Sequence, residues 1–209
     1  MLPPVIPIFP LPNVVLFPNV FLPLHIFEPR YRDMVRDGLA GDRLIGMTLL
    51  KPGWEGEYEG RPPVYPIGCA GLITHAERLP GGEYNIVLRG LEKFRISSED
   101  RGGPYRRALV EAIDDPLPDA ARQTVRAERR RLERLLLERS EHGGVEGARL
   151  PEAMPDEDVV NALAQYLALE PAEKQALLEH DGVLARCRAL IELLEMKAML
   201  SGRAWGSSV

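Results

Sequence analysis

The chain has 209 residues, 45% hydrophobic and 27% charged, with 26 basic against 31 acidic side chains and a net charge of −5. This is an ordinary globular mix, and a chain of this length can withdraw roughly 70% of its unfolded surface from water without the help of metals or disulfides. The acidic balance argues against nucleic acid as a partner, because affinity there rests on displacing counterions with Lys and Arg.

In chain order, the first ten residues carry no basic stretch and are broken by Pro3, Pro4, Pro7 and Pro10, so they read as neither a signal peptide nor a membrane span. No later run approaches the ~20 apolar residues that a span needs, which leaves the cytoplasm as the default compartment. Short apolar runs bounded by Gly and Pro predict strands over 5–9, 20–24, 43–50, 68–78, 84–96 and 107–113. Pro80-Gly81-Gly82 joins two of these as a hairpin, with Gly supplying a positive φ. A short helix is expected over 28–39, with Pro29 in its first turn, where a missing N–H costs nothing. Residues 51–66 read as a long polar loop carrying Trp54, Tyr58 and Tyr65, and a loop of that length is usually mobile or functional. So many strands with so few helices between them predict an antiparallel, barrel-like sheet rather than βαβ units.

The texture changes at about 114–118, where Asp114-Asp115-Pro116-Leu117-Pro118 reads as a turn. Two domains are therefore expected, a β-rich one over 1–116 and a helical bundle over 117–209, an α+β architecture. A helix over 119–139 carries Val125, Leu132, Leu135 and Leu136. Asp156 is a suitable N-cap for a second, with Val159, Val160, Leu163, Tyr166 and Leu167 turned inward. Pro171 opens a third, through Ala176, Leu177 and Leu178. Cys187, Leu190, Ile191, Leu194 and Ala198 then recur at i, i+3, i+4, i+7 and i+11, the apolar stripe of a core-facing helix.

Signatures of catalysis are missing. There is no G-x-x-x-x-G-K-[ST] phosphate loop and no H-E-x-x-H, and His25, His75, His142 and His180 are scattered. Cys69 and Cys187 read as two buried, reduced thiols. No cofactor and no metal are expected. Lys197 and Ser201 stand four apart on the last helix, a spacing that reads as coincidence on an amphipathic end. The chain is not expected to be an enzyme.

Several segments, in order, resemble one family. Pro7-Ile8-Phe9-Pro10-Leu11 and Val14-Val15-Leu16-Phe17-Pro18 are similar to the opening of the Lon protease N-terminal domain. Leu22-Pro23-Leu24-His25-Ile26-Phe27-Glu28-Pro29-Arg30-Tyr31-Arg32-Asp33-Met34 is the most specific match, and it resembles the form found in stand-alone Lon-domain proteins. Gly68 to Ile73, Leu79 to Ile86 and Gly90 to Ile96 follow the family's hairpin pattern, and Lys174 to Glu179 with Arg186 to Leu194 resembles its helical end. The resemblance covers roughly residues 5–200. It implies a PUA-like β pseudo-barrel, mostly antiparallel, followed by a helical bundle. It also implies engagement of unfolded polypeptide or a partner protein. With the ATPase and serine–lysine protease parts not present before Val209, recognition is expected to carry over and proteolysis is not. Glu83, where the family often has Arg or Lys, and the Gly53–Gly60 loop depart from the pattern.

Candidate polypeptide contacts are Phe27, Glu28, Arg30, Tyr31, Trp54, Tyr58 and Tyr65, since aromatic side chains combine contact area with a polar handle. The plain structural reading stands beside this one. Phe9, Leu11, Phe17, Leu22, Leu24 and Phe27 would fill a core, and Glu28 and Arg30 would tie the helix to the sheet. Two apart, those charges do not share a helix face, so each is expected to reach outside its own helix. The alternative function is a small-ligand or RNA sensor on a PUA-like barrel. Edge strands need cover, and a homodimer would supply it.

Overall fold

A computed structural model of the chain describes residues 2–57, 60–100, 102–115, 117–141 and 153–204. Six strands and five helices run in the order β1 (Val5–Leu11), β2 (Phe21–Ile26), α1 (Pro29–Ala40), β3 (Leu44–Leu49), β4 (Ile67–Arg78), β5 (Tyr84–Asp100), β6 (Arg107–Ile113), α2 (Asp119–Glu141), α3 (Asp156–Tyr166), α4 (Pro171–Glu179) and α5 (Val183–Ala204), with one 3-10 turn at Glu55–Glu57. None of the described helices is long and apolar enough to cross a membrane.

The strands form one mixed sheet in the order β2-β5-β4-β3-β1-β6, and a further pairing of β6 with β5 brings the ladder back on itself. The architecture is α+β, as the sequence suggests. One pair departs from the antiparallel expectation, because β1 runs parallel to β3 (Ile8 beside Gly46, Leu11 beside Leu49). The chain makes that crossover through β2 and α1. The 17-residue β5 serves two neighbours in succession along one side, β2 from Tyr84 to Arg89 and β6 from Lys93 to Asp100. A register shift between Ile96 and Ser98 interrupts its pairing with β6, and such irregularities bend a strand and increase its twist.

The loop between β1 and β2 is tucked into this sheet. Val15, Leu16, Phe17 and Pro18 are buried, and Asn19 adopts a positive φ of 61° to turn the chain. The Asn19 N–H donates to the Gly90 carbonyl and the Gly90 N–H to the Val20 carbonyl, both at 2.9 Å. Gly90 is required there, since a Cβ would overlap the Phe17 carbonyl oxygen and lie 2.8 Å from its carbon. Ile6, Ile8, Ala70, Phe94, Ala108 and Val110 form a core cluster inside the strand circuit.

The chain divides into two compact units. One takes the chain through Asp114 together with Gln165–Glu179, and the other takes Asp115–Ala164 and the chain from His180. The division at Asp114 lies at the change in texture. The return of Gln165–Glu179 to the strand-bearing unit is invisible to a contiguous reading of 1–116 and 117–209. Three side chains of that stretch secure it. The Gln165 carbonyl oxygen Oε1 accepts the Phe17 N–H at 3.0 Å, the Gln175 Nε2 donates to the Ile67 carbonyl at 2.9 Å, and the Tyr166 hydroxyl donates to the Phe21 carbonyl at 2.6 Å. Tyr166, expected inward, is therefore an outward-facing residue whose polar end is used on β2.

In the helical unit, α2 and α5 lie side by side in parallel, with Arg188 paired to Glu128 at 3.0 Å and Arg131 to Glu195 at 2.6 Å. Val125, Leu132, Val159, Val160, Cys187, Leu190, Ile191 and Leu194 are buried, so the predicted stripe of α5 faces a core. Arg186 is also buried, donating to the Asn161 Oδ1 at 2.8 Å and to the Asp115 carboxylate at 2.6 Å.

Candidate functional site

The surface that merits attention is built on β2, which pairs with β5 on one side and with no described strand on the other. The hydrogen bond between Gly90 N–H and Val20 carbonyl fixes its phase. In an antiparallel pair, opposed residues alternate between hydrogen-bonded and non-hydrogen-bonded positions. Leu22, Leu24 and Ile26, opposite Leu88, Ile86 and Tyr84, therefore turn their backbone groups to β5. Phe21, Pro23 and His25, opposite Arg89, Val87 and Asn85, turn theirs to the open edge. Pro23 fits because its missing N–H falls at an outward position, where the ladder loses nothing.

The same alternation sorts the side chains. Ile26 is buried and Leu22 and Leu24 are half-buried, while Phe21, Pro23 and His25 are exposed. Phe27 follows in the same phase. Phe21 is 50% exposed and Phe27 60%, and Tyr166, 64% exposed, is joined to Phe21 through its hydroxyl. At about 3.3 Å per residue, the run from Phe21 to Phe27 is ~20 Å long. His25 stands within it. Its ring stacks on Phe27 with centroids 6.2 Å apart, its Nδ1 lies 2.9 Å from the Asn85 Oδ1, and its Nε2 lies 3.4 Å from a Glu83 carboxylate oxygen. Desolvation holds the Tyr166 hydroxyl above the ordinary phenol range, so it remains a donor across physiological pH.

Of the candidates named from sequence, Phe27 is on this surface and three others follow it at the start of α1. Glu28 and Arg30 pair with each other, at 2.9 Å between the Arg30 terminal nitrogen and the Glu28 carboxylate. Glu28 is the N-cap, outside α1 and with extended backbone (φ −65°, ψ 132°), so the spacing rule for two helical residues does not apply to it, and Arg30 reaches out of the helix to pair with it. Tyr31 is 3% exposed, its ring 4.3 Å from that of Phe9 with the Arg30 guanidinium 4.7 Å over it. A ring so enclosed offers no surface to a partner, and Tyr31 is a core residue.

Trp54 and Tyr65 are half-buried in the 51–66 loop, while Tyr58 lies outside the described residues. That loop springs from β3, three places from β2 in the sheet. Its stem is zipped by Lys51 N–H to the Pro63 carbonyl and Tyr65 N–H to the Leu49 carbonyl, both 2.9 Å. Arg106 fastens it further, holding both oxygens of Glu99 and donating to the Pro62 carbonyl at 2.8 Å. The described stem of the loop is thus fastened to β3 and to Arg106, not to β2. Phe21 and Tyr166 share this surface and are not among the candidates named from sequence. Phe21 had a detectable signal, as an aromatic residue in phase with Pro23 and His25. Among the described residues, no group of three or more His, Cys, Asp or Glu is placed to hold a metal.

Comparison with known proteins gives the fold its context. A family model described as the ATP-dependent protease La (LON) substrate-binding domain matches residues 5–196. The chain is 27% identical over 205 residues to the Lon protease of Cytophaga hutchinsonii, an alignment covering 92% of this chain and 24% of that protein. It is 27% identical over 201 residues to Lon protease 1 of Thermus thermophilus, covering 90% and 24% respectively. Among solved structures, the Lon N-terminal domain protein from Xanthomonas campestris aligns with a TM-score of 0.63 at 24% identity, over 90% of this chain and 97% of that one. The N-terminal domain of the Mycobacterium avium complex Lon protease gives 0.64 at 20% identity, over 91% and 98%. The chain spans about a quarter of the length of the curated relatives it matches. A match running from the first strand into the last helix, on the same fold, establishes that the chain belongs to the Lon substrate-binding domain family.

Proposed function

We propose that the chain is a non-catalytic module that binds extended polypeptide along β2. The observation that carries this reading is the row of exposed aromatic side chains, Phe21, Phe27 and Tyr166, beside an edge that pairs with no described strand. Such an edge accepts an added strand through main-chain hydrogen bonds, while side chains of the added strand cover the exposed rings. The family's description as a substrate-binding domain supports polypeptide as the occupant. Glu28, Arg30 and Tyr31 serve as support for Phe27 rather than as contacts.

Each of Phe21 and Phe27 has about half its surface still to bury, worth roughly 1–1.5 kcal/mol if a ligand covers it. Replacing either with serine should weaken binding about five- to tenfold, and replacing both by more than about 30-fold. The probe is a reduced, carboxymethylated model protein carrying a fluorophore, titrated with the full chain and followed by anisotropy. Saturable binding that the double variant loses, with unchanged thermal unfolding, is the expected result. No binding up to several hundred micromolar, or equal binding by the double variant, defeats the proposal.

A further inference from the structure

The open edge of β2 is not open along its whole length. The Phe21 carbonyl, the first outward acceptor of the strand, already receives the Tyr166 hydroxyl at 2.6 Å. An added strand would run about 4.8 Å from β2. A phenol hydroxyl 2.6 Å from an outward carbonyl takes up the acceptor that an added strand would use at this point. Beyond it, the Pro23 carbonyl and the N–H and carbonyl of His25 remain, and Pro23 contributes no N–H.

We infer that Tyr166 is an end-stop, a specificity residue that halts strand addition before Phe21 and confines a bound extended segment to Pro23–Phe27. The inference rests on the polypeptide-binding reading and adds a length and a register to it. A segment seated this way places one residue opposite His25 with two hydrogen bonds and one opposite Pro23 with a single bond to its carbonyl. Its next residue meets the Tyr166 ring instead of backbone. The partner selected is therefore short and extended. Its contact with β2 ends in an apolar side chain that can lie against Tyr166 and Phe21. Tyr166 is delivered by the stretch Gln165–Glu179, which Gln165 fixes to the Phe17 N–H and Gln175 to the Ile67 carbonyl. The stop is consequently held by two separate anchors on the strand-bearing unit.

The test uses the full chain, a fluorescent ten-residue peptide of alternating valine and threonine with terminal lysines, and amide exchange read residue by residue by NMR. In the wild-type complex the His25 amide should gain protection and the Phe21 amide should not. Tyr166→Phe frees the Phe21 carbonyl and lets the ring swing away. The peptide should then bind about two- to tenfold more tightly, the worth of an added hydrogen bond or two, and the Phe21 amide should become protected. Protection of Phe21 in the wild-type complex, or a Tyr166→Phe complex with unchanged affinity and an unprotected Phe21, overturns the end-stop. If serine at Phe21 and Phe27 leaves peptide binding intact, the edge itself is the wrong site. That failure is distinct from failure of the stop.

Discussion

Replacing Arg186 with methionine tests what organises the helical unit. The Arg186 side chain is 0% exposed and its guanidinium is shared between Asn161 at 2.8 Å and Asp115 at 2.6 Å. Removing one member of a buried ion pair costs about 3–5 kcal/mol, because the remaining charge stays in low dielectric without its counter-charge. Asp115 keeps 13% of its side-chain surface, so water relieves part of that cost. We therefore expect the lower end, about 3 kcal/mol, for Arg186→Met. In a chain of this size that corresponds to a fall of ~6–12 °C in the unfolding midpoint. Asp115→Leu leaves a fully buried guanidinium without its counter-charge, with the neutral Asn161 still accepting one bond, and should cost more, about 4–5 kcal/mol. The two changes together remove both charges, so their combined effect should fall short of the sum by about 2 kcal/mol or more. Urea unfolding followed by circular dichroism measures all three variants. A loss below about 1 kcal/mol for Arg186→Met, or strict additivity in the pair, would show that the network is not a buried ion pair in energetic terms.

Other consequences can be checked with equal directness. Gly90→Ala drives a Cβ into the Phe17 backbone, which cannot rotate away as a side chain would, and should cost about 3 kcal/mol in urea unfolding. Arg106→Met releases the Pro62 carbonyl and both Glu99 oxygens. Amide exchange at Lys51 and Tyr65, which zip the loop stem, should accelerate by about tenfold or more, while exchange in β2 stays unchanged. The Cys187 thiol is pushed up to about 12 by burial, with Glu128 adding to the shift, so it should resist iodoacetamide at pH 8.5 in the folded chain and react once urea unfolds it. Because its folded value lies above the unfolded one, the stability it contributes is complete below about pH 9 and lost as the pH rises towards about 12. Cys187→Ala should flatten the alkaline loss of stability by comparison with the wild type.

The strands were legible because their signals are local. Prolines and glycines bracket short apolar runs, and β6 begins and ends where those signals say, at Arg107 and Ile113. The ends of β2 and β5 were less so. β2 continues through His25 and Ile26, and β5 runs on through Ser97 to Asp100, because pairing with β5 and β6 respectively supplies the partners that a polar sequence does not advertise. The parallel pairing of β1 with β3 was hidden for the same reason, being decided by which strands share a core. On the proposed surface, Phe27 is named from sequence and Tyr166 is not. Its helical phase matches Val159 and Leu163, and only its place at the last residue of α3, with the Phe21 carbonyl within reach, turns it outward.

The most recognisable motif in the chain acts one step removed from the proposed contact. Pro29 at the first helical position fixes φ, and the extended Glu28 before it, clamped to Arg30, sets the direction in which β2 gives way to α1. Tyr31, enclosed between Phe9 and the Arg30 guanidinium, anchors that junction to the core. With the junction held, alternation along β2 leaves Phe27 only the outward face that Phe21 and His25 already occupy. Were Phe27 to rotate to the inner face, Ile26 would surrender a buried position worth roughly 1.5–3 kcal/mol, more than an exposed ring recovers on a surface that lacks a ligand. On the proposed reading, an incoming segment would then not spend its own binding energy on ordering Phe27.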